Sequence, residues 1–199
     1  MAGELRKPAG KDPGPELLER WRAGDPTAFT AIFRSYRGLV WRVLHRLLRG
    51  DPELEDVVQL VFIEVHRSLD RFEGRARLSS WITRVALNVG YHHLRRKKSR
   101  PADYRAEYRD VDAPDERPGV DPEAGARGRE AAARVHEVLA QLPEKKRTVF
   151  LLVDLEGLTH DQVAEIVGAS AATVRTRLFY ARKEFWKRAA ADPVLAELV

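Results

Sequence analysis

Residues 158–185, LTHDQVAEIVGASAATVRTRLFYARKEF, read as two short amphipathic segments joined at a glycine. In the first, Val163, Ile166 and Val167 point inward, with Leu158 just ahead of them, and Gly168 is placed to supply the left-handed residue of a tight turn. Ser170 then predicts an N-cap. From that cap Val174, Leu178, Ala181 and Phe185 recur at helical period, a narrow stripe that faces a partner helix. At about 100° per residue the opposite face is centred on Ala172, Thr176, Phe179 and Lys183, with Arg175 and Tyr180 on its flanks. A helix-turn-helix whose second helix carries basic and aromatic residues outward points to DNA. The plainer alternative is a solvated charged face on an ordinary two-helix hairpin, and an aromatic on that face speaks against it.

Composition sets the frame around this motif. A chain of 199 residues suits one or two domains, and a net charge of +5 favours a polyanionic partner. Cysteine is absent, which removes disulfides and cysteine zinc sites. The first residues, MAGELRKPAGKDPGP, lack the apolar segment of a secretory signal, and no apolar run approaches the ~18 residues of a membrane span. A cytoplasmic protein with no stable membrane insertion is expected.

Neither half shows hairpin dipeptides or sustained period-two alternation, so the fold class expected is all-α, with two small helical domains joined by a flexible linker. The boundaries are an N-terminal extension at 1–24, a first domain at 25–98, a linker at 99–131, a second domain at 132–188 and a tail at 189–199. The linker alternates charge with proline and glycine and has almost no apolar periodicity, so it cannot support a core.

In the first domain Asp25-Pro26 opens a helix whose apolar face is Phe29, Ile32, Phe33, Tyr36, Val40, Val43, Leu44 and Leu47, and Gly50-Asp51-Pro52 ends it. The next helix, PELEDVVQLVFIEVHRSLDRF, puts Leu54, Val58, Val61, Phe62, Val65 and Leu69 on one stripe yet leaves Leu60 and Ile63 beside Asp56 on the far face. That face is either a docking surface or two stray exposed apolar residues. After the loop EGRARLSS, the helix WITRVALNVGYHHLRRKKSR ends in Arg95, Arg96, Lys97, Lys98 and Arg100. Complementing the helix dipole accounts for one or two cations at a helix end, whereas phosphate binding accounts for the run.

Taken together, the motifs EDVVQLVF, LDRFEGRARLSSWITRVALN, HHLRRKKSR, LPEKKRTVFLL, LTHDQVAEIVG and TVRTRLFYAR stand in the order and at the spacing of a known family. The chain resembles an extracytoplasmic-function (ECF) sigma factor, a small bacterial RNA polymerase initiation factor. The resemblance implies that residues 25–98 form region 2, which binds the polymerase clamp and opens the promoter −10 element, and that 132–188 form region 4, which reads the −35 element. It assigns Asp56, Gln59, Leu60 and Ile63 to core RNA polymerase. Arg71, Phe72, Ser79, Ser80, Trp81, Asn88, His92, Arg95, Arg96, Lys97 and Lys98 go to the −10 element, in a loop and helix that hold an unstacked base. Thr173, Arg175, Thr176, Phe179, Tyr180 and Lys183 go to the −35 element.

Four positions depart from the family pattern. Leu60 stands where a glutamate usually follows the glutamine, Leu87 where an arginine is frequent, His92 where an acid or amide is frequent, and Tyr180 where an arginine is common. The family's linker threads toward the RNA exit path, which suits the acid-rich run Asp110–Glu123. Promoter DNA and core polymerase are the partners implied, with a cognate anti-sigma factor in addition. No cofactor, metal or catalytic residue is called for.

Two rival readings come from other classes. One is a helix-turn-helix transcriptional regulator acting without polymerase docking, which predicts DNA binding by the protein alone. The sequence offers it no phosphate loop, receiver-like strand pattern or heptad seam. The other is a metal-dependent nuclease using Asp56, Glu64, Asp70, His92 and His93. Adjacent histidines point about 100° apart on a helix, and no paired-carboxylate spacing joins these groups into a metal shell.

Overall fold

A computed structural model describes residues 12–99 and 122–197. The chain forms two compact units. The first holds α1 (Gly14–Arg22), α2 (Ala28–Leu48), α3 (Leu54–Ser68) and α4 (Leu78–Ser99), with a single 3₁₀ turn at Leu69–Arg71. The second is built on α5 (Pro122–Ala140), α6 (Glu144–Phe150), α8 (Ala171–Ala189) and the short α9 (Pro193–Ala196); α7 (His160–Val167), whose residues are divided between the two units after Ala164, leads into α8. The described residues contain no strand, so the all-α expectation holds. Arg100 and nearly all of the acid-rich run Asp110–Glu123 lie outside the described residues.

In the first unit α2 is the central helix. Ile32, Tyr36, Val40, Val43, Leu44 and Leu47 are buried along it as periodicity requires, while Phe29 and Phe33 are half-buried at its start. Phe33 packs edge-on to Phe62 of α3, with ring centroids 4.7 Å apart. The helix opens two residues later than Asp25-Pro26 suggests. Asp25 caps the turn ahead of it instead, accepting from Thr27 N–H at 2.8 Å and from the Thr27 hydroxyl at 2.6 Å. Those bonds, with Arg20 beside them, hold the half-buried Asp25 carboxyl down at about 2.

Val58, Val61, Phe62 and Val65 of α3 are buried as expected, joined by Val57, whereas Leu54 is only half-buried. From α4, Leu78, Ile82, Ala86, Leu87 and Tyr91 close the core. Gly90 is where α2 and α4 approach most closely: a Cβ there would lie 2.7 Å from Leu47 Cδ2 and 2.9 Å from Leu44 Cδ2. Leucine ends can retreat by the little an alanine needs, but not by what a β-branched side chain needs. Gly90→Val is therefore expected to destabilise the protein by about 1–3 kcal/mol through overpacking. Urea unfolding checks this, and an unchanged midpoint would show that the two helices have slack.

Helix α1 departs from the expected boundaries, although Leu17, Leu18 and Trp21 stand at helical spacing. Its nine residues bury Leu17 and Leu18 against the rest of the unit, in the stretch expected to be an extension. Likewise α5 begins at Pro122, inside the segment expected to be linker.

In the second unit Val138, Leu139, Leu142, Phe150, Ala181, Phe185, Ala189 and Leu195 form one apolar cluster. Helix α6 runs on into a π-helical turn at Leu151–Leu155, which Gly157 ends at φ 68°. Gly168 takes φ 66° between α7 and α8, the left-handed geometry that favours glycine there. Ser170 caps α8, its Oγ accepting from Thr173 N–H at 3.1 Å. Val174, Leu178, Ala181 and Phe185 are buried along α8. Val163 and Ile166 of α7 are buried, and Val167 half-buried.

Candidate nucleic-acid and protein interfaces

Burying that stripe obliges α8 to turn its other side to solvent. Arg175, Thr176, Phe179, Tyr180 and Lys183 are all exposed, Phe179 at 63% and Tyr180 at 52%. The two aromatic rings meet edge to face at 5.4 Å, which stiffens a platform that water would otherwise leave mobile. The Thr176 hydroxyl donates back to Ala172 O at 3.1 Å, so it offers an acceptor and a methyl group outward. Thr173 is set apart from this group: half-buried, with its hydroxyl 2.9 Å from Ser170 Oγ, it belongs to the cap.

The cations of this helix fall into two sets. Arg182 pairs with Asp154 at 3.0 Å, and Arg188 with Glu184 at 3.1 Å beside Lys146, which reaches the same carboxylate at 2.8 Å. Those contacts are internal struts. Hydrogen bonds from Lys146 and then Arg188 hold the Glu184 carboxyl below its ordinary value. Arg175 and Lys183 stand on the outer face instead. Sequence reasoning missed Trp186, 51% exposed, which extends that face one turn beyond Lys183. Its spacing of seven from Phe179 was the available signal.

On α3, Asp56, Gln59, Leu60 and Ile63 are all exposed and lie opposite the buried stripe, the two apolar residues at 46% each. Next to them Glu55 accepts from Arg37 of α2 and from Trp41 Nε1, both at 3.0 Å. Trp41 in turn stacks on His45, with centroids 4.5 Å apart and rings 14° from parallel. The face therefore rests on a helix pair braced at its leading edge.

The residues expected at the −10 element divide. Arg71, Asn88, His92, Arg95, Arg96 and Lys98 are exposed, and Ser79 and Trp81 half-buried. Phe72 and Ser80 are buried, at 7% and 6%. The Phe72 ring lies 5.0 Å from that of Trp81 and roots the loop in the core, so it is not offered to a base. Leu87 is also buried, which makes its departure from arginine a core substitution.

Lys97 is the other correction. It turns away from solvent and places Nζ 3.0 Å from Asp51 Oδ2, whose side chain is only 3% exposed. His93 Nε2 lies 2.9 Å from the same oxygen, and Glu53 N–H donates to Asp51 Oδ1 at 3.0 Å. Burial pushes the Asp51 carboxyl up, but the bonds from His93, Glu53 N–H and Lys97 outweigh it and the net shift is down. A carboxylate in the turn between α2 and α3 thus holds two side chains from the last turns of α4. Asp51 was read from sequence only as part of a helix stop; its position just after Gly50, at φ 69°, was the one local hint.

Residues 32–100 match Sigma-70 region 2 and residues 132–185 match Sigma-70, region 4. The chain is 31% identical over 186 residues to the RNA polymerase sigma-H factor of Pseudomonas aeruginosa, covering 92% of this chain and 95% of that protein. It is 31% identical over 176 residues to the ECF RNA polymerase sigma-E factor of Escherichia coli K12, covering 84% and 89%. In fold it is similar to CnrH, solved in complex with the cytosolic domain of CnrY, at a TM-score of 0.62 and 22% identity over 91% of this chain and 99% of that one. Two helical units, one matching each sigma region, define a polymerase-binding transcription initiation factor. The chain belongs to the ECF RNA polymerase sigma factors.

No helix among the described residues is long and apolar enough to cross a membrane.

Proposed function

We propose that residues 25–98 act as region 2 and residues 132–188 as region 4 of this sigma factor, joined by a linker at 99–131, and that the work is divided among three faces. Asp56, Gln59, Leu60 and Ile63 of α3 dock on core polymerase. The loop after Arg71, with Asn88, His92, Arg95, Arg96 and Lys98 of α4, holds the opened −10 element, where an unstacked base needs polar groups at its edge and cations at its backbone. Arg175, Thr176, Phe179 and Tyr180 read the −35 element. The observation that carries the reading is the outer face of α8: two aromatics more than half exposed, beside an arginine, on a capped helix whose other side is fully buried. The protein works in the cytoplasm, has no catalytic activity of its own and is held in check by an anti-sigma factor. Support for that last partner comes from a protein of similar fold, the Bartonella quintana sigma factor RpoE, solved in complex with the anti-sigma factor NepR.

Run-off transcription with core polymerase on a genomic library tests the function. The expected result is a set of transcripts that start at a shared promoter sequence only when the protein is added. Tight, specific DNA binding without polymerase, and no such transcripts, would favour a stand-alone regulator.

Within α8, Arg175 lies early in the helix, where side chains enter the major groove deepest, and a guanidinium can pair bidentately with guanine O6 and N7. Arg175→Ala is expected to cost about 1–3 kcal/mol at one base pair and relax discrimination there, while Lys183→Ala weakens all sequences alike. Promoter-variant selection on both proteins checks this. A uniform loss with an unchanged −35 preference in Arg175→Ala would refute base readout by that residue.

A further inference from the structure

The proposed −10 loop lies between the 3₁₀ turn at Leu69–Arg71 and the start of α4 at Leu78, and helix α1 touches the chain at both of its ends. At the upstream end Trp21 Nε1 donates to Asp70 Oδ1 at 2.7 Å, and the Arg22 guanidinium donates to Phe72 O at 3.1 Å. At the downstream end Gly14 sits against the first residue of α4, since a Cβ on it would lie 3.0 Å from Leu78 Cβ and 3.1 Å from the Tyr36 hydroxyl oxygen. Between these points the nine residues of α1 span about 12 Å at 1.5 Å per residue.

The helix is itself held in place. Asp12 Oδ1 accepts from Gly14 N–H at 3.1 Å and from the Tyr36 hydroxyl at 3.0 Å, fixing its start to α2. Burial, and then the charge of Asp12, push the Tyr36 hydroxyl pKa up, so it keeps its proton and remains the donor. At the other end the Trp21 ring packs edge-on against His66 of α3 at 5.3 Å and beside Phe29 of α2 at 6.0 Å. The stretch from Glu73 to Gly74 and Arg75 is exposed and passes through φ 75° at Gly74, so its shape owes much to where its ends are pinned.

We infer that α1 is the positioning element of this loop, with Trp21 and Arg22 as the positioning residues that set −10 base discrimination without touching DNA. The inference rests on the −10 reading above. A loop whose ends are fixed has already surrendered part of the entropy that capturing a base would cost, so the pocket is partly built before DNA arrives. Loosening the ends returns that cost to the binding step. It falls on the base that the loop holds, and neither polymerase docking nor −35 readout shares it.

The test uses the full chain and the holoenzyme formed from it. Trp21→Phe keeps an aromatic ring, though a smaller one, and removes the N–H donor, Arg22→Ala removes the bond to Phe72 O, and Arg22→Lys restores a donor. A fourth protein, with residues 73–77 replaced by a Gly-Ser stretch of equal length, reports whether the loop reads the −10 element at all. In the free proteins, hydrogen exchange of the Phe72 amide, which donates to Leu69 O at 3.0 Å at the entry to the loop, should quicken roughly fivefold in Trp21→Phe and Arg22→Ala while α3 amides hold their rates. In transcription from a −10 library, discrimination at one position should fall by a similar factor, with unchanged core affinity and −35 preference and partial recovery in Arg22→Lys. If the Gly-Ser loop alters −10 preference and the α1 variants alter neither preference nor Phe72 exchange, the inference is overturned and the −10 reading stands. If no variant, the Gly-Ser loop included, alters −10 preference, the −10 reading itself fails and the inference falls with it.

Discussion

Ile63→Asp is expected to weaken binding to core RNA polymerase by about 30- to several-hundred-fold while leaving the fold intact. The fold survives because Ile63 is 46% exposed in the free protein and the core stripe of α3 is carried by Val57, Val58, Val61, Phe62 and Val65 on the other side. Exposed substitutions of this kind usually change stability by less than about 0.5 kcal/mol. Binding suffers because a carboxylate pressed into an apolar contact loses its water without gaining a partner, a loss of about 2–4 kcal/mol. Leu60→Glu makes the informative comparison. It restores the glutamate usual in the family, so it is expected to cost less than about tenfold, whereas a face that merely dislikes charge would treat both changes alike. Co-purification with core enzyme, alongside thermal unfolding, separates the outcomes. Undiminished binding by Ile63→Asp would remove α3 as the docking helix.

What could be read from the sequence was whatever short-range geometry determines. The α8 stripe and the Ser170 cap depend only on residues within a few turns, and a period of 3.6 sorts buried from exposed without knowing the partner. The same holds for the idle face of α3. Helix α1 was passed over although Leu17, Leu18 and Trp21 fall at helical spacing behind a proline, because so short a stretch inside a proline-rich opening carries too few apolar residues to declare a core. Its burial depends on α2 and α4, which a local reading cannot place beside it. Phe72 was misplaced for a related reason: the resemblance assigns the loop as a whole to DNA, and only the packing of Phe72 on Trp81 shows which of its residues is spent on the core. Lys97 is the plainest case. A basic run at a helix end looks uniform in sequence, and the acid that removes one member of it lies 46 residues away.

That removal yields the last expected result. Asp51 gathers His93 and Lys97 at 2.9 and 3.0 Å, with the Lys97 side chain 17% exposed, so neither partner finds full hydration if the carboxylate is deleted. Asp51→Ala is expected to cost about 2–4 kcal/mol, most of it from leaving a half-buried ammonium unpaired. In a Lys97→Met background the same substitution should cost markedly less, and equal costs in both backgrounds would deny the pair any coupling. The pH dependence follows from the direction of the Asp51 shift. A carboxyl lowered in the folded state contributes stability that is present above its unfolded value near 4 and is lost as pH falls through the still lower folded value. The wild-type protein should therefore surrender this increment only in acid, where its stability converges toward that of Asp51→Ala. On DNA, a lysine spent on Asp51 has no phosphate to neutralise. Lys97→Met should leave the salt dependence of promoter binding by holoenzyme unchanged, while Arg96→Ala and Lys98→Ala each flatten it by up to about 0.9 in log–log slope. Equal flattening by all three would mean that Lys97 leaves Asp51 when DNA binds, and that the carboxylate stores a cation for the promoter instead of withholding one.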